Sequence, residues 1–120
     1  MKKIAIFGST GSIGESTLQV IRENPNLFKV VTLVAGKNIQ KLEEQIEEFN
    51  PKNVYITAKE NANRLEKKYS NLNIFYGEEG LEEIAKLTDF DVSVSALVGI
   101  AGLRSYLSYD KKWKNGSISQ

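Results

Sequence analysis

An α/β fold with a parallel sheet is predicted by three features of this 120-residue chain. The amino terminus joins an apolar run, a turn of Gly, Ser and Thr, and the start of a helix. Four further short runs rich in apolar or β-branched residues follow, each separated from the next by a helical pattern of about three turns. The first run is continuously apolar, as expected of a strand covered on both faces.

The first strand is read at residues 3–8 and its helix from about Ser12 to Arg22, with Ile13, Leu18, Val20 and Ile21 as apolar positions. Ser12 and Glu15 fit an S-x-x-E capping box; the same serine is also placed to contact a phosphate, and the two roles are compatible. Asn24-Pro25-Asn26 ends the helix, because proline cannot continue it. The β-branched run Val30 to Ala35 is the second strand. Ile39, Leu42, Ile46 and Phe49 then recur at helical spacing up to Asn50-Pro51. Val54 to Ile56 is the third strand, and Thr57 with Glu60 suggests a second capping box before a helix to about Tyr69. Asn73 to Tyr76 is the fourth strand, 77–87 a fourth helix with Leu81, Ile84 and Leu87 inward, and Asp91 to Ser95 the fifth strand. The glutamate-rich runs 43–48 and 78–83 read as solvated helix faces rather than metal sites. Right-handed crossovers and the opening glycine turn together predict a Rossmann-like, doubly wound sheet in the order 3-2-1-4-5.

The opening turn carries the chemistry. Gly8, Gly11 and Gly14 form a G-x-x-G-x-x-G spacing related to the dinucleotide fingerprint. One glycine permits the tight turn, one lets a pyrophosphate approach the backbone, and one lets the helix pack against the strand. The first N–H groups of that helix have no partner within it and carry the positive end of its dipole, so they suit an anion.

Composition excludes several alternatives. Sixteen basic against fifteen acidic residues leave a net charge of +1, which gives no support to a nucleic-acid or membrane-surface role. No apolar run approaches a membrane span, and residues 1–8 do not resemble a signal peptide, so a cytoplasmic location is expected. The chain has no cysteine and no histidine, which rules out disulfides, thiolate chemistry, a Ser-His-Asp triad and histidine-ligated metal within it.

The end of the second strand selects the nucleotide. A domain that prefers NAD usually carries Asp or Glu there to accept from the ribose 2′-OH. This chain has Ala35-Gly36-Lys37-Asn38 instead. Lys37 would attract a 2′-phosphate and Asn38 could donate to it, so NADP(H) is expected over NAD(H). The plainer reading of Lys37 is a surface lysine near a helix start, where it gains nothing from the dipole.

The residues match more than a generic fingerprint. Gly8-Ser-Thr-Gly-Ser-Ile-Gly14, Asn24-Pro25, Phe28 to Val31, Leu33 to Asn38 and Ala96 to Leu103 closely resemble the amino-terminal domain of the 1-deoxy-D-xylulose 5-phosphate reductoisomerase family. The resemblance implies an NADPH-dependent enzyme of isoprenoid precursor biosynthesis by the methylerythritol phosphate route. In that family deoxyxylulose phosphate is rearranged on a divalent metal (Mg, Mn or Co) and then reduced to 2-C-methyl-D-erythritol 4-phosphate. By the same resemblance Gly8, Thr10, Gly11, Ser12 and Ile13 would contact the cofactor through the turn. Gly36, Lys37 and Asn38 would hold the adenosine ribose and its 2′-phosphate, and Ala96 to Gly99 would lie near the nicotinamide. The family's metal-binding and catalytic residues lie downstream, so no catalytic and no metal-binding residue is assigned in this chain, and the parent enzyme is expected to be a homodimer.

The motif resemblance covers residues 1–104, read as the NADPH-binding domain. Residues 105–120 read as a tail outside the family pattern and loosely ordered, with Tyr106, Tyr109 and Trp113 among lysines. Codons compatible with this tail, read one base later, encode a family-like continuation (Pro-Ile-Leu-Ala-Met-Ile-Lys-Asn-Gly-Lys-Thr-Val-Ala-Leu-Ala). A frameshift near Arg104 is therefore expected, leaving the sheet incomplete at its carboxyl-terminal side and the fragment without catalysis. The alternatives are an NADPH-sensing module without chemistry, or another NADPH-dependent reductase.

Overall fold

The computed structural model describes residues 1–95; the expectations for Ala96 to Gly99 and for residues 105–120 lie outside them. The nine elements alternate without exception: β1 (Lys2–Phe7), α1 (Ser12–Glu23), β2 (Phe28–Val34), α2 (Ile39–Phe49), β3 (Asn53–Ile56), α3 (Lys59–Lys68), β4 (Asn73–Tyr76), α4 (Gly77–Ala85) and β5 (Val92–Ser95). All four strand pairings are parallel, in the order β4-β3-β2-β1-β5.

The α/β class and doubly wound character are as the sequence predicts; the order 3-2-1-4-5 is not. The fourth strand extends the sheet beyond β3 instead of crossing to the far side of β1, and the reversal comes one unit later, at β5. The two faces show why. Ile4 and Ile6 of β1 join Leu18, Ile21, Leu42, Ile46, Ala62 and Leu65 in a core beneath α1, α2 and α3. Ala5 and Phe7 point to the other face and pack with Val34, Tyr55, Ile84 and Phe90, under α4. Three successive right-handed crossovers walk the sheet one way with their helices on one face; α4 covers the other face and carries the chain back past β1.

The β1–β2 pairing contains a register shift, with Ile4 opposite Val30 and Ala5 opposite Thr32. A polar row crosses the sheet beside it. The Asn53 Nδ2 group donates to Thr32 Oγ1 at 3.2 Å, and Asn73 Nδ2 donates to Asn53 Oδ1 at 3.0 Å. These three residues are direct register partners.

Local chemistry departs from expectation at four places. Neither capping box forms: the N-caps are Gly11 and Ala58, without a side-chain cap, and Ser12 is already helical. In α1 the inward stripe is Gly14, Leu18 and Ile21, which leaves Ile13 and Val20 exposed. Glu43, expected on a solvated face, is 8% exposed and accepts two hydrogen bonds from the Arg64 guanidinium, both at 3.0 Å. At the far end of α1, Arg22 forms a two-pronged pair with Glu48 of α2, which holds the Glu48 carboxyl below its ordinary range.

Candidate functional site

The residues singled out in the sequence gather at the carboxyl ends of two adjacent strands, β1 and β2. β5 lies on the other side of β1, so this edge of the sheet is a topological switch point, where open α/β sheets bind ligands.

The turn after β1 is tightly determined. Gly8 has φ 97, a left-handed conformation that costs a residue with a Cβ but not glycine. The N–H groups of Gly8 and Ser9 both donate to the Val34 carbonyl, at 2.7 and 3.0 Å, which ties the turn to the end of β2. Gly11 N–H donates back to the Gly8 carbonyl at 3.3 Å, closing the turn. A Cβ on Gly14 would lie against the Gly8 carbonyl oxygen and only 2.6 Å from the Ser9 Cα. The first turn of α1 therefore packs on the glycine turn with no side chain between them.

This packing leaves donors pointing outward. Glu15 N–H is the first in α1 to find an acceptor, the Gly11 carbonyl at 2.9 Å. The N–H groups of Thr10, Ser12 and Ile13 meet no acceptor among the described residues. Gly11, Ser12 and Ile13 are exposed, and Thr10 is half-buried. A short arc of unpaired N–H groups at a helix amino terminus is an anion-binding arrangement. Ile13 is 53% exposed and presents apolar surface beside the arc.

The turn after β2 is built differently. Ala35 is buried, with its N–H on the Tyr55 carbonyl at 3.0 Å. Gly36, Lys37 and Asn38 are exposed. Thr57 N–H donates to the Gly36 carbonyl at 3.0 Å, so the turn is anchored through its backbone, while a Cβ on Gly36 would meet nothing within 4 Å. Asn38 is the N-cap of α2: its Oδ1 accepts from Lys41 N–H at 3.0 Å. That cap leaves the Asn38 side-chain NH₂ free of any described partner, so the residue can cap the helix and still donate to a ligand. No carboxylate stands at the end of β2, and Lys37 supplies positive charge there.

Three residues absent from the sequence-based set join the two turns. Lys41 of α2 pairs with Glu15 of α1 at 2.6 Å, and the carboxylate holds the lysine ammonium above its usual range. Gln45 of α2 is buried and donates from Nε2 to the Ser9 carbonyl at 2.9 Å. Position 45 falls within the apolar stripe of Leu42, Ile46 and Phe49, so a polar residue there is the signal that could have identified it. Among the described residues, no three His, Cys, Asp or Glu side chains are grouped to hold a metal ion, and no helix is long and apolar enough to cross a membrane.

A profile of the 1-deoxy-D-xylulose 5-phosphate reductoisomerase family matches residues 4–115. The enzyme of that name from Thermodesulfovibrio yellowstonii is 50% identical over 103 residues, covering 86% of this chain and 27% of its own length. The Shouchella clausii enzyme is 41% identical over 120 residues, covering 99% of this chain and 32% of its own. The profile and the latter match both continue past Arg104. Among solved structures, a DOX-P reductoisomerase in complex with NADPH, fosmidomycin and magnesium superposes with TM-score 0.78 at 38% identity, covering 88% of this chain and 26% of that one. The Zymomonas mobilis enzyme in complex with NADPH gives TM-score 0.79 at 29% identity, covering 92% and 30%. The chain thus spans between a quarter and a third of the length of these relatives. Paired glycine turns without a carboxylate at the end of β2, on this strand order, and the match across nearly the whole chain agree: the chain belongs to the 1-deoxy-D-xylulose 5-phosphate reductoisomerase family.

Proposed function

We propose that this chain is the NADPH-binding part of a reductoisomerase that converts deoxyxylulose phosphate to 2-C-methyl-D-erythritol 4-phosphate. The observation that carries the reading is the pairing of two subsites on neighbouring strands. The unpaired N–H groups of Thr10, Ser12 and Ile13 suit a pyrophosphate. The exposed Gly36-Lys37-Asn38 turn suits a ribose carrying a 2′-phosphate. The residues fit the group: the open space over Gly36 lets a ribose lie against the backbone, and Lys37 with the Asn38 NH₂ supplies positive charge and a donor. NADPH, when bound, supplies the hydride for the reduction.

The part of the chemistry assigned to these residues is binding and orientation. The glycine turn fixes the pyrophosphate, α2 fixes the adenosine end, and the rigid sheet between them sets the direction in which the nicotinamide leaves the switch point. The divalent metal and the deoxyxylulose phosphate belong to the longer parent enzyme, in this reading a cytoplasmic homodimer. No carboxylate cluster among the described residues fits the metal.

Titration of the purified chain with NADPH and NADH, followed by nicotinamide fluorescence, tests the reading. Saturable NADPH binding with NADH at least tenfold weaker is expected, and equal affinities would overturn it. The same sample given deoxyxylulose phosphate, NADPH and magnesium is expected to oxidise no NADPH. The origin of residues 105–120 is decided by the DNA after codon 104. A family-like continuation one base out of frame supports the displaced reading frame, and its absence removes it.

A further inference from the structure

We infer that Gln45 is a positioning residue of the dinucleotide site: it holds the Ser9–Thr10 peptide so that the Thr10 N–H faces the pyrophosphate. The inference rests on the proposed NADPH site and adds a residue outside both turns.

The geometry follows from one peptide plane. There is no cis peptide among the described residues, so the Ser9 carbonyl and the Thr10 N–H point in opposite directions from the same rigid unit. Gln45 Nε2 donates to the Ser9 carbonyl at 2.9 Å inside the protein, with Gln45 4% exposed and Ser9 fully buried. Drawing the carbonyl inward turns the Thr10 N–H outward, where it meets no described acceptor. A buried carbonyl without a partner is costly, by about 1–3 kcal/mol. Without the Gln45 amide the peptide would gain by rotating its carbonyl toward water, and that rotation would carry the N–H away from the ligand.

Sequence alone hides this role because Gln45 lies thirty-six positions from Ser9. Its helix is the one capped by Asn38 and tied to α1 through Lys41 and Glu15. One rigid helix therefore carries the end that meets the 2′-phosphate and the amide that sets the pyrophosphate turn. Gln45 Oε1 is buried without a partner, so the side chain does not serve a closed network of its own; the bond it makes is the one to the turn.

The variant Gln45→Met keeps length and volume but removes the donor. The chain and the variant are titrated with NADPH, which spans both subsites, and with adenosine 2′-monophosphate, which reaches only the Gly36 turn. The expected result is a tenfold rise in Kd for NADPH with the Kd for adenosine 2′-monophosphate unchanged within twofold. Equal losses for both ligands would indicate a general structural role, and no loss for either would indicate no role; both overturn the inference. A second measurement does not depend on the variant folding or on NADPH binding. In the ligand-free wild-type chain, NMR should show the Gln45 side-chain NH₂ protected from solvent exchange and scalar-coupled to the Ser9 carbonyl. Exchange as fast as that of the exposed Gln19 and Gln40 side chains would overturn the inference. If the wild-type chain fails to bind NADPH, the proposed function falls, and the NMR result alone decides what Gln45 does to the turn.

Discussion

At the end of β1, Gly8 sits at φ 97 and Gly14 has no room for a Cβ; at the end of β2, a Cβ on Gly36 would meet nothing within 4 Å. The two turns face the same edge of the sheet and belong to the same candidate site. Glycine in the first is required by the protein itself, because the chain could not turn or the helix seat without it. Glycine in the second is required by nothing the described residues contain. In the proposed function it is there for a ligand that approaches the backbone. A residue needed for folding and a residue needed for binding are thus separable within one short motif family, by asking what occupies the space where a side chain would be.

Three substitutions test that distinction, in descending order of effect. Gly14→Ala should destabilise the domain by about 3 kcal/mol through overpacking against Gly8 and Ser9. It would be read as a lower urea midpoint at unchanged slope; a loss under about 1 kcal/mol would mean the turn can yield, and the contrast with Gly36 would collapse. Lys37→Ala should leave the unfolding midpoint alone and raise the NADPH Kd about tenfold, roughly 1.4 kcal/mol, with NADH binding unaffected. A parallel weakening of NADH would place Lys37 away from the 2′-phosphate. Gly36→Ala should hold or slightly raise stability, by about 0.5 kcal/mol, because the substitution restricts only the unfolded chain. It should still weaken NADPH binding several-fold. Unchanged NADPH affinity in Gly36→Ala would sharpen the comparison the other way, making the open space over Gly36 incidental.

The alternation of elements and the placement of both turns were legible because they rest on local signals: apolar runs, helical spacing, and Gly or Asn-Pro punctuation at the element ends. What stayed hidden depended on partners distant in sequence. The position of β4 turns on which face of the sheet α3 covers, and the apolar Ala62 and Leu65 of that helix would serve on either face. Glu43 looked solvated among five neighbouring acidic or amide residues, yet it lies on the stripe between Ile39 and Ile46, and Arg64 of α3 makes its burial tolerable. The Ser12 box failed because the tight closure of the glycine turn makes Gly11 the cap and draws Ser12 into the helix. Gln45 stood out as a polar residue within an apolar stripe, but its role did not, because its partner, the Ser9 carbonyl, is distant in sequence, as Arg64 is from Glu43.

The Thr32–Asn53–Asn73 row has a consequence for how the sheet assembles. The strands it joins are short and all parallel, and the sheet has an apolar core on each face, so an apolar side chain turned to the opposite face still meets apolar surroundings. Apolar contacts alone discriminate weakly between such neighbours. The row adds a coincidence requirement: Asn53 must find a hydroxyl on one side and an amide on the other, and only one alignment of three strands supplies both. Any slipped arrangement strands an amide at a position that is 3% exposed in the correct one. The row therefore works as a checksum on strand alignment. It sits at the opening residues of β3 and β4, so alignment is verified where those two strands begin, and the turn at the end of β2 inherits a correctly set frame.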